Sequence, residues 1–317
     1  MDFNGQALVS QVAPSVYQID TLLGGWHKVT AGYLICGAEP LLIETGSQSS
    51  VSTLLMALKQ LNIGSSDLAG VAVTHIHLDH AGGVGDVAMA FPKAKVYVHE
   101  KGARHLVDPE RLIASASMVY GDLLDSLYGR MLPTESERVV VLYDGDVLSV
   151  GGGESVVAID SPGHAKHHLG FFHEESGLLF SGDAVGVRLP DVGVLWPATP
   201  PPDFDFELFL GSLERFKSYR PKRLAFAHYG VVDSPEETLS LSHDTITRWA
   251  EVATQAYRQG RSIDEALQKE FDEMLKDIPD DLRQRAETLS GVHSNAQGLQ
   301  RWLSKGHVGY VIGEKDN

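Results

Sequence analysis

The stretch Val71-Ala-Val-Thr-His75-Ile-His77-Leu-Asp79-His80-Ala-Gly-Gly83 decides how the rest of the chain is read. A short apolar run leads into it and a glycine pair closes it; between them, four side chains able to bind a metal fall within six residues. Side chains two apart on an extended chain point the same way, so His75 and His77 are expected to leave the end of a buried strand together. If the chain then turns into a helix, Asp79 and His80 occupy its first turn and aim back into the same space. Three imidazoles and one carboxylate are borderline donors suited to Zn²⁺, and Fe or Mn ions accept them as well.

Three later stretches extend the pattern: Ser161-Pro-Gly-His164, Phe180-Ser-Gly-Asp183 and Phe226-Ala-His228. In this order, after His-x-His-x-Asp-His, they resemble the signature of the metallo-β-lactamase superfamily over about Val16 to Gly230. The resemblance implies two divalent metal ions, Zn²⁺ first and Fe or Mn as substitutes. His75, His77 and His164 would hold the first, Asp79, His80 and His228 the second, and Asp183 would bridge them. It also implies an α+β fold, the αββα sandwich, in which two mixed sheets pack face to face with helices outside and metals at the sheet edge. Residues 1–233 then form the catalytic domain and 234–317 a C-terminal helical extension.

Further residues are expected to support the site. The family pattern usually places Asp before Thr-Gly at an early strand end; this chain has Glu44, whose extra methylene still reaches a hydrogen bond that could orient a ligand. His168 falls where the family often has another His and is read as supporting or structural, while His167 has no motif behind it. Arg188, shortly after Asp183, is placed to meet a substrate carboxylate or to fix a loop. Met118, Tyr120, Leu124, Leu127 and Tyr128 read either as a core stripe or as a substrate-facing wall, with Tyr120 expected to support the site or meet the substrate.

Composition bounds the partners. With 42 acidic and 26 basic residues the formal charge of the 317-residue chain is -16, which disfavours nucleic acid, and no Lys/Arg cluster offsets it. The single cysteine, Cys36, lies in a strand-like segment and is read as a packing residue. The segment Met1-Asp-Phe-Asn-Gly lacks the pattern of a signal peptide, and no run of eighteen apolar residues follows. The expectation is a cytoplasmic protein, a homodimer in one reading, with a small-molecule substrate and no nucleic-acid or membrane partner; the C-terminal helices either cover the core and support dimerisation or wall the substrate's distal part, and the sequence does not choose.

Along the chain, Ser15–Asp20, Ala31–Gly37, Pro40–Glu44, Leu68–Thr74 and Lys95–His99 read as strands, with His99 structural. The spacing of Val51, Leu54, Leu55, Leu58 and Leu61 predicts an amphipathic helix, and Gly82 and Gly83 a close helix approach. Residues 100–137 read as helical. Arg138–Tyr143, Asp146–Val150 and Ser155–Asp160 read as strands joined by hairpins at Asp144-Gly145 and Gly151-Gly-Gly153. His173 is placed in a turn with Glu174-Glu-Ser-Gly177, before the strand Leu178–Ser181. Trp196-Pro-Ala-Thr-Pro-Pro-Pro202 reads as a stiff loop at the cleft rim, Phe206–Ser218 as a helix and Arg223–Ala227 as a strand. Ser234-Pro-Glu-Glu237 and Ser262-Ile-Asp-Glu265 read as capping boxes, with helix stops at Gly260, Gly291 and Gly306.

The chemistry expected of this donor set is hydrolysis by a hydroxide bridging two metals, with Asp79 orienting the nucleophile and shuttling its proton. The substrate is expected to be an ester, thioester or lactone of a small molecule. Two alternatives stand beside it: a phosphodiesterase using the same dinuclear site, and a mononuclear-iron oxidoreductase resembling persulfide dioxygenases. Flavodiiron reductases usually carry Glu at the position of His77 and need a flavodoxin module, and class B β-lactamases usually replace the equivalents of His80 or Asp79.

Overall fold

The computed structural model describes residues 2–3 and 6–307; Met1, Asn4 and Gly5 of the N-terminal segment, and residues 308–317 of the expected extension, lie outside the described residues. The chain divides into two compact units. One comprises Met1–Asp160, His167–Gly182 and Pro221–Asp233; the other comprises Ser161–Lys166, Asp183–Arg220 and Ser234–Asn317.

The first unit holds both large sheets. Strands β1 (Asp2–Phe3) and β2 (Gln6–Ala7) pair only with each other. A seven-stranded sheet then runs in sequence order through β3 (Val9–Ala13), β4 (Val16–Asp20), β5 (Ala31–Ile35), β6 (Leu41–Ile43), β7 (Gly70–Ala72), β8 (Lys95–His99) and β9 (Val139–Leu142). It is antiparallel from β3 to β6 and parallel from β6 to β9. The six-stranded sheet contains β10 (Val147–Gly151), β11 (Glu154–Asp160), β12 (Leu169–His173), β13 (Leu178–Gly182), β16 (Arg223–Phe226) and β17 (Val231–Val232), in that order. Only its β13–β16 pair is parallel.

The inner faces of the two sheets share one core. Val16, Tyr33, Ile35, Leu41, Ile43 and Ala72 from the first meet Leu148, Val150, Val156, Phe171, Phe180 and Ala225 from the second. Large side chains here are almost fully buried, and each such burial removes roughly 1.5–3 kcal/mol of apolar exposure. The outer face of the seven-stranded sheet, with Ile19, Leu34, Leu42 and Val71, is covered by helix α1 (Val51–Gln60) through Leu54, Ala57 and Leu58, and by α3 (Val84–Ala90) through Val87. Between them lies the short α2 (Leu78–Ala81). A Cβ on Gly82 would sit 2.2 Å from the Leu78 carbonyl oxygen and one on Gly83 2.7 Å from Val51 Cγ2, so the close approach expected of this pair is present. Helices α4 (Glu100–Val107) and α5 (Glu110–Tyr120) and a π-helical turn (Leu124–Tyr128) fill the segment after β8. His99 is structural: its Nδ1 accepts the Lys101 N–H at 3.0 Å and caps α4.

Three expectations fail locally. Asp144-Gly145 joins no hairpin: β9 ends one sheet and β10 begins the other, and the Gly145 N–H donates to the Ala158 carbonyl on β11. Pairing partners distant in sequence, not the turn dipeptide, decide where such strands go. His173 is not in a turn but is the last residue of β12, a strand the sequence reading did not anticipate. Ser234 precedes a helix but makes no side-chain cap; its carbonyl instead accepts the Thr238 N–H and hydroxyl. At the second expected box Ser262 does cap its helix, its Oγ accepting the Glu265 N–H at 3.2 Å.

The second unit contains a ribbon of β14 (Val187–Arg188) and β15 (Leu195–Trp196), and helices α6 (Phe206–Ser218), α7 (Pro235–Arg258), α8 (Ile263–Met274), α9 (Asp280–Ser290) and α10 (Val292–Ser304). Its core stacks Trp196 and Trp249 edge-on against Phe271, and Phe206 against Trp302. Gly291, at φ 58°, supplies the left-handed residue between α9 and α10. Among the described residues no helix is long and apolar enough to cross a membrane.

Candidate metal centre

Strand β7 stops at Ala72, earlier than its apolar run suggests, and the chain then crosses the sheet edge as an irregular loop. His75 and His77 lie on that loop, with His75 Nε2 2.9 Å from His77 Nδ1. Asp79 and His80 follow on the first turn of α2, as the spacing predicts. The His80 carbonyl accepts both the N–H and the hydroxyl of Thr45 at 2.9 Å, which ties this turn to the strand end beside it. Asp79 Oδ2 lies 3.6 Å from His80 Nε2 and 3.5 Å from His228 Nε2. One ligand atom from each of Asp79, His80 and His228 falls within 4.8 Å of the others.

Glu44 stands behind this group. It is buried, its Oε1 accepts the Thr74 N–H at 2.9 Å, and its Oε2 lies 3.5 Å from His80 Nδ1. Its backbone adopts φ 66°, a left-handed conformation that costs a non-glycine residue on the order of 1–3 kcal/mol. A carboxylate beside Nδ1 favours a proton on that nitrogen, so that in the neutral ring the lone pair of His80 is on Nε2, the nitrogen on the Asp79 side.

His228 is fixed from below. The Tyr33 hydroxyl on β5 donates to the Phe226 carbonyl at 2.7 Å, the Phe226 N–H closes onto the Gly230 carbonyl at 2.9 Å, and the Ala31 N–H donates to the Ala227 carbonyl at 2.8 Å. Burial holds the Tyr33 hydroxyl well above its ordinary pKa, so it stays a donor at any physiological pH. His168 is fully buried, its ring stacked at 5.1 Å from that of His75. A Cβ on Gly182 would meet His168 Nε2 at 2.4 Å and Thr74 Oγ1 at 2.7 Å, so only glycine lets the end of β13 pass these two side chains. His167, which no motif singled out, packs edge-on 5.8 Å from His77; the only sequence signal for it was its neighbour.

In the second unit His164 Nδ1 lies 2.9 Å from the Ala198 carbonyl. A carbonyl only accepts, so Nδ1 carries a proton and donates it, and Nε2 is turned to Asp183, 3.7 Å away. The loop bearing Ala198 is itself pinned by Asn295 on α10, whose amide donates to the Pro197 carbonyl at 3.1 Å and accepts the Thr199 N–H at 2.6 Å. The C-terminal helices thus act on a histidine through one carbonyl. Arg188 is half-buried on β14, opposite Leu195.

The segment offered as a substrate wall splits in two. Leu124 and Tyr128 are buried, whereas Met118 is 83% exposed and Tyr120 38%. The Tyr120 and Tyr128 rings lie 4.5 Å apart. Burial pushes the Tyr128 hydroxyl well above its ordinary pKa, and Tyr120 and the Asp79 carboxylate push it further. Tyr128 is therefore within electrostatic reach of Asp79. Cys36 is half-buried, and burial pushes its thiol up, away from a reactive thiolate.

The sequence profile of the metallo-beta-lactamase superfamily matches residues 25–228. The chain belongs to the metallo-beta-lactamase superfamily. The metallo-beta-lactamase fold-containing protein ST1585 of Sulfurisphaera tokodaii is 30% identical over 222 residues, 66% of this chain and 79% of that one. Its solved structure superposes with a TM-score of 0.58 at 27% identity, covering 70% of this chain and 80% of the other. The metallo-beta-lactamase family protein TTHA1429 of Thermus thermophilus shares the fold over 93% of this chain and 95% of its own, with a TM-score of 0.67 at 21% identity. The atrochrysone carboxyl ACP thioesterase dmxR1 of a Cryptosporiopsis species is 29% identical over 180 residues, 56% of this chain; the chain spans 45% of that protein. The superfamily is generally hydrolytic, and its fold binds divalent metal ions. The half-buried Asp79 and the buried His80 and His228 offer the mixed nitrogen and oxygen donors such ions take.

Proposed function

We propose that the protein is a dinuclear metal-dependent hydrolase that cleaves an ester, thioester or lactone of a small molecule. The observation that carries this reading is the convergence of Asp79, His80 and His228 within 4.8 Å, with Glu44 backing His80. In this reading Asp79, His80 and His228 would hold one ion, and His75, His77 and His164 the other, with Asp183 available to both; Zn²⁺ is the first candidate and Fe or Mn fit the same donors. Bound ions of this kind supply a water nucleophile near neutral pH and polarise the carbonyl under attack. Asp79 orients that water and takes its proton at a carboxylate oxygen. Glu44 and the Ala198 carbonyl hold protons at Nδ1 of His80 and His164, so that both rings present Nε2. Tyr128, kept protonated, is a hydrogen-bond donor for the substrate's carbonyl oxygen, and Arg188 is the cation available to a substrate carboxylate. His168 positions His75.

The thioesterase name carried by one relative supports an acyl substrate over a phosphodiester. The acidic surface, with a formal charge of -16, supports a small molecule over a nucleic acid. A cytoplasmic homodimer belongs to the same proposal. Elemental analysis of the purified protein, beside turnover of thioester, lactone, aryl ester and bis-aryl phosphodiester substrates, tests it. Two metals per chain with acyl turnover is the expected result; a single iron with oxygen consumption and no hydrolysis overturns it in favour of the oxidoreductase.

A further inference from the structure

A second group of potential ligands lies in the first unit, at the far end of β12 from His168. We propose that Glu154, His173 and Glu175 form a separate binding site for a divalent transition-metal ion of the zinc class. One ligand atom of each lies within 4.8 Å of the others. His173 ends β12 and is 1% exposed. Its Nε2 lies 3.5 Å from Oε2 of Glu154 on β11 and 3.2 Å from Oε2 of Glu175 in the turn to β13, yet hydrogen-bonds to neither.

The other ring nitrogen explains why this matters. Ser176 Oγ lies 2.8 Å from His173 Nδ1, receives the Leu178 N–H at 3.2 Å, and faces the His173 carbonyl at 3.4 Å. With the hydroxyl hydrogen on that carbonyl, Oγ accepts from Nδ1–H, which is how metal-binding histidines are commonly held. The Nε2 lone pair of the neutral ring then faces two carboxylate oxygens, an arrangement that a cation relieves. One imidazole and two carboxylates suit Zn²⁺ and its neighbours in the first transition row; Ca²⁺ and Mg²⁺ prefer all-oxygen shells. The two carboxylates are more than a third exposed, which leaves positions for water and allows them to close on the ion. A bound ion would staple β11 to the β12–β13 turn.

The test compares wild type with E154Q/E175Q, both as full chains with every residue of the superfamily motifs intact. After equilibrium dialysis against one zinc buffer, wild type is expected to retain one more zinc ion per chain than the variant. Zinc-soaked wild-type crystals should give an anomalous difference peak beside His173 Nε2 that the variant lacks. Added zinc should raise the thermal midpoint of wild type more than that of the variant. Equal zinc counts overturn the proposal, as does an imidazolium ring at His173 that persists in zinc, since the occupant is then a proton. Should the double variant fold poorly, E175Q alone, altered only on an exposed turn, is expected to bind this zinc at least about tenfold more weakly.

Discussion

Strand β12 has a buried histidine at each end, and the two ends differ in what surrounds the ring. His168 sits among other imidazoles, against Thr74 and Gly182, where the loops from several strands meet. His173 sits in a local hairpin, backed by one serine hydroxyl and faced by two solvent-reaching carboxylates. The first environment draws residues from positions 44 to 228 and depends on the whole sheet arrangement. The second needs only β11, β12 and the turn after it. Donors assembled from far apart are held by the fold and need no ion to bring them together; donors on a hairpin gain order when an ion arrives.

The contrast can be broken most forcibly at the assembled end. Asp79→Ala should lower kcat/KM by on the order of 10²–10⁴, the range for removal of an acid–base group, with far-UV circular dichroism unchanged. Asp183→Ala should remove metal and hydrolysis together; turnover that survives it would show that one metal suffices. Next come the residues that aim ligands. Glu44→Gln keeps the size of the side chain but removes the negative charge facing His80, and should weaken metal binding by about 10–100-fold in a chelator competition. Asn295→Ala leaves the Pro197 carbonyl and Thr199 N–H without their partner, so about 1–3 kcal/mol of stability in urea should go with a loss of metal from His164. His168→Ala should reduce turnover much less than His164→Ala; equal losses would make His168 a ligand. Smallest of all, E154Q/E175Q should leave turnover within error of wild type, because nothing in the hairpin enters the proposed reaction.

Much of this was legible in the sequence because it is local. The strand and the helix turn on either side of His75–His80 follow from apolar run, polar spacing and glycine pair, all within thirteen residues, whereas the loop from Val73 to His77 between them does not. The helix Phe206–Ser218 was read to the residue from its periodicity. What was missed depends on distant partners. Leu169–His173 becomes a strand because β11 and β13 flank it, and Asp144-Gly145 becomes a crossing because β9 pairs with β8. The left-handed backbone of Glu44, which accompanies its contacts to Thr74 and His80, is encoded by no propensity. The segment read as one stripe splits because α5 ends at Tyr120 and Tyr128 belongs to a separate π-helical turn, whose register α-helical spacing does not give.

The strand order of the seven-stranded sheet bears on the birth of the protein. Its members follow one another without interruption and end at Leu142, before the other sheet begins at Val147. A ribosome therefore releases one complete sheet whose inner face, lined by Val16, Tyr33, Ile35 and Leu41, has nothing to cover it. At about 5–20 residues per second, roughly two to eight seconds pass before Phe180 emerges to meet it. For that interval the nascent chain presents a broad apolar surface, a natural target for a trigger-factor-like chaperone and the stage at which aggregation in overexpression would begin.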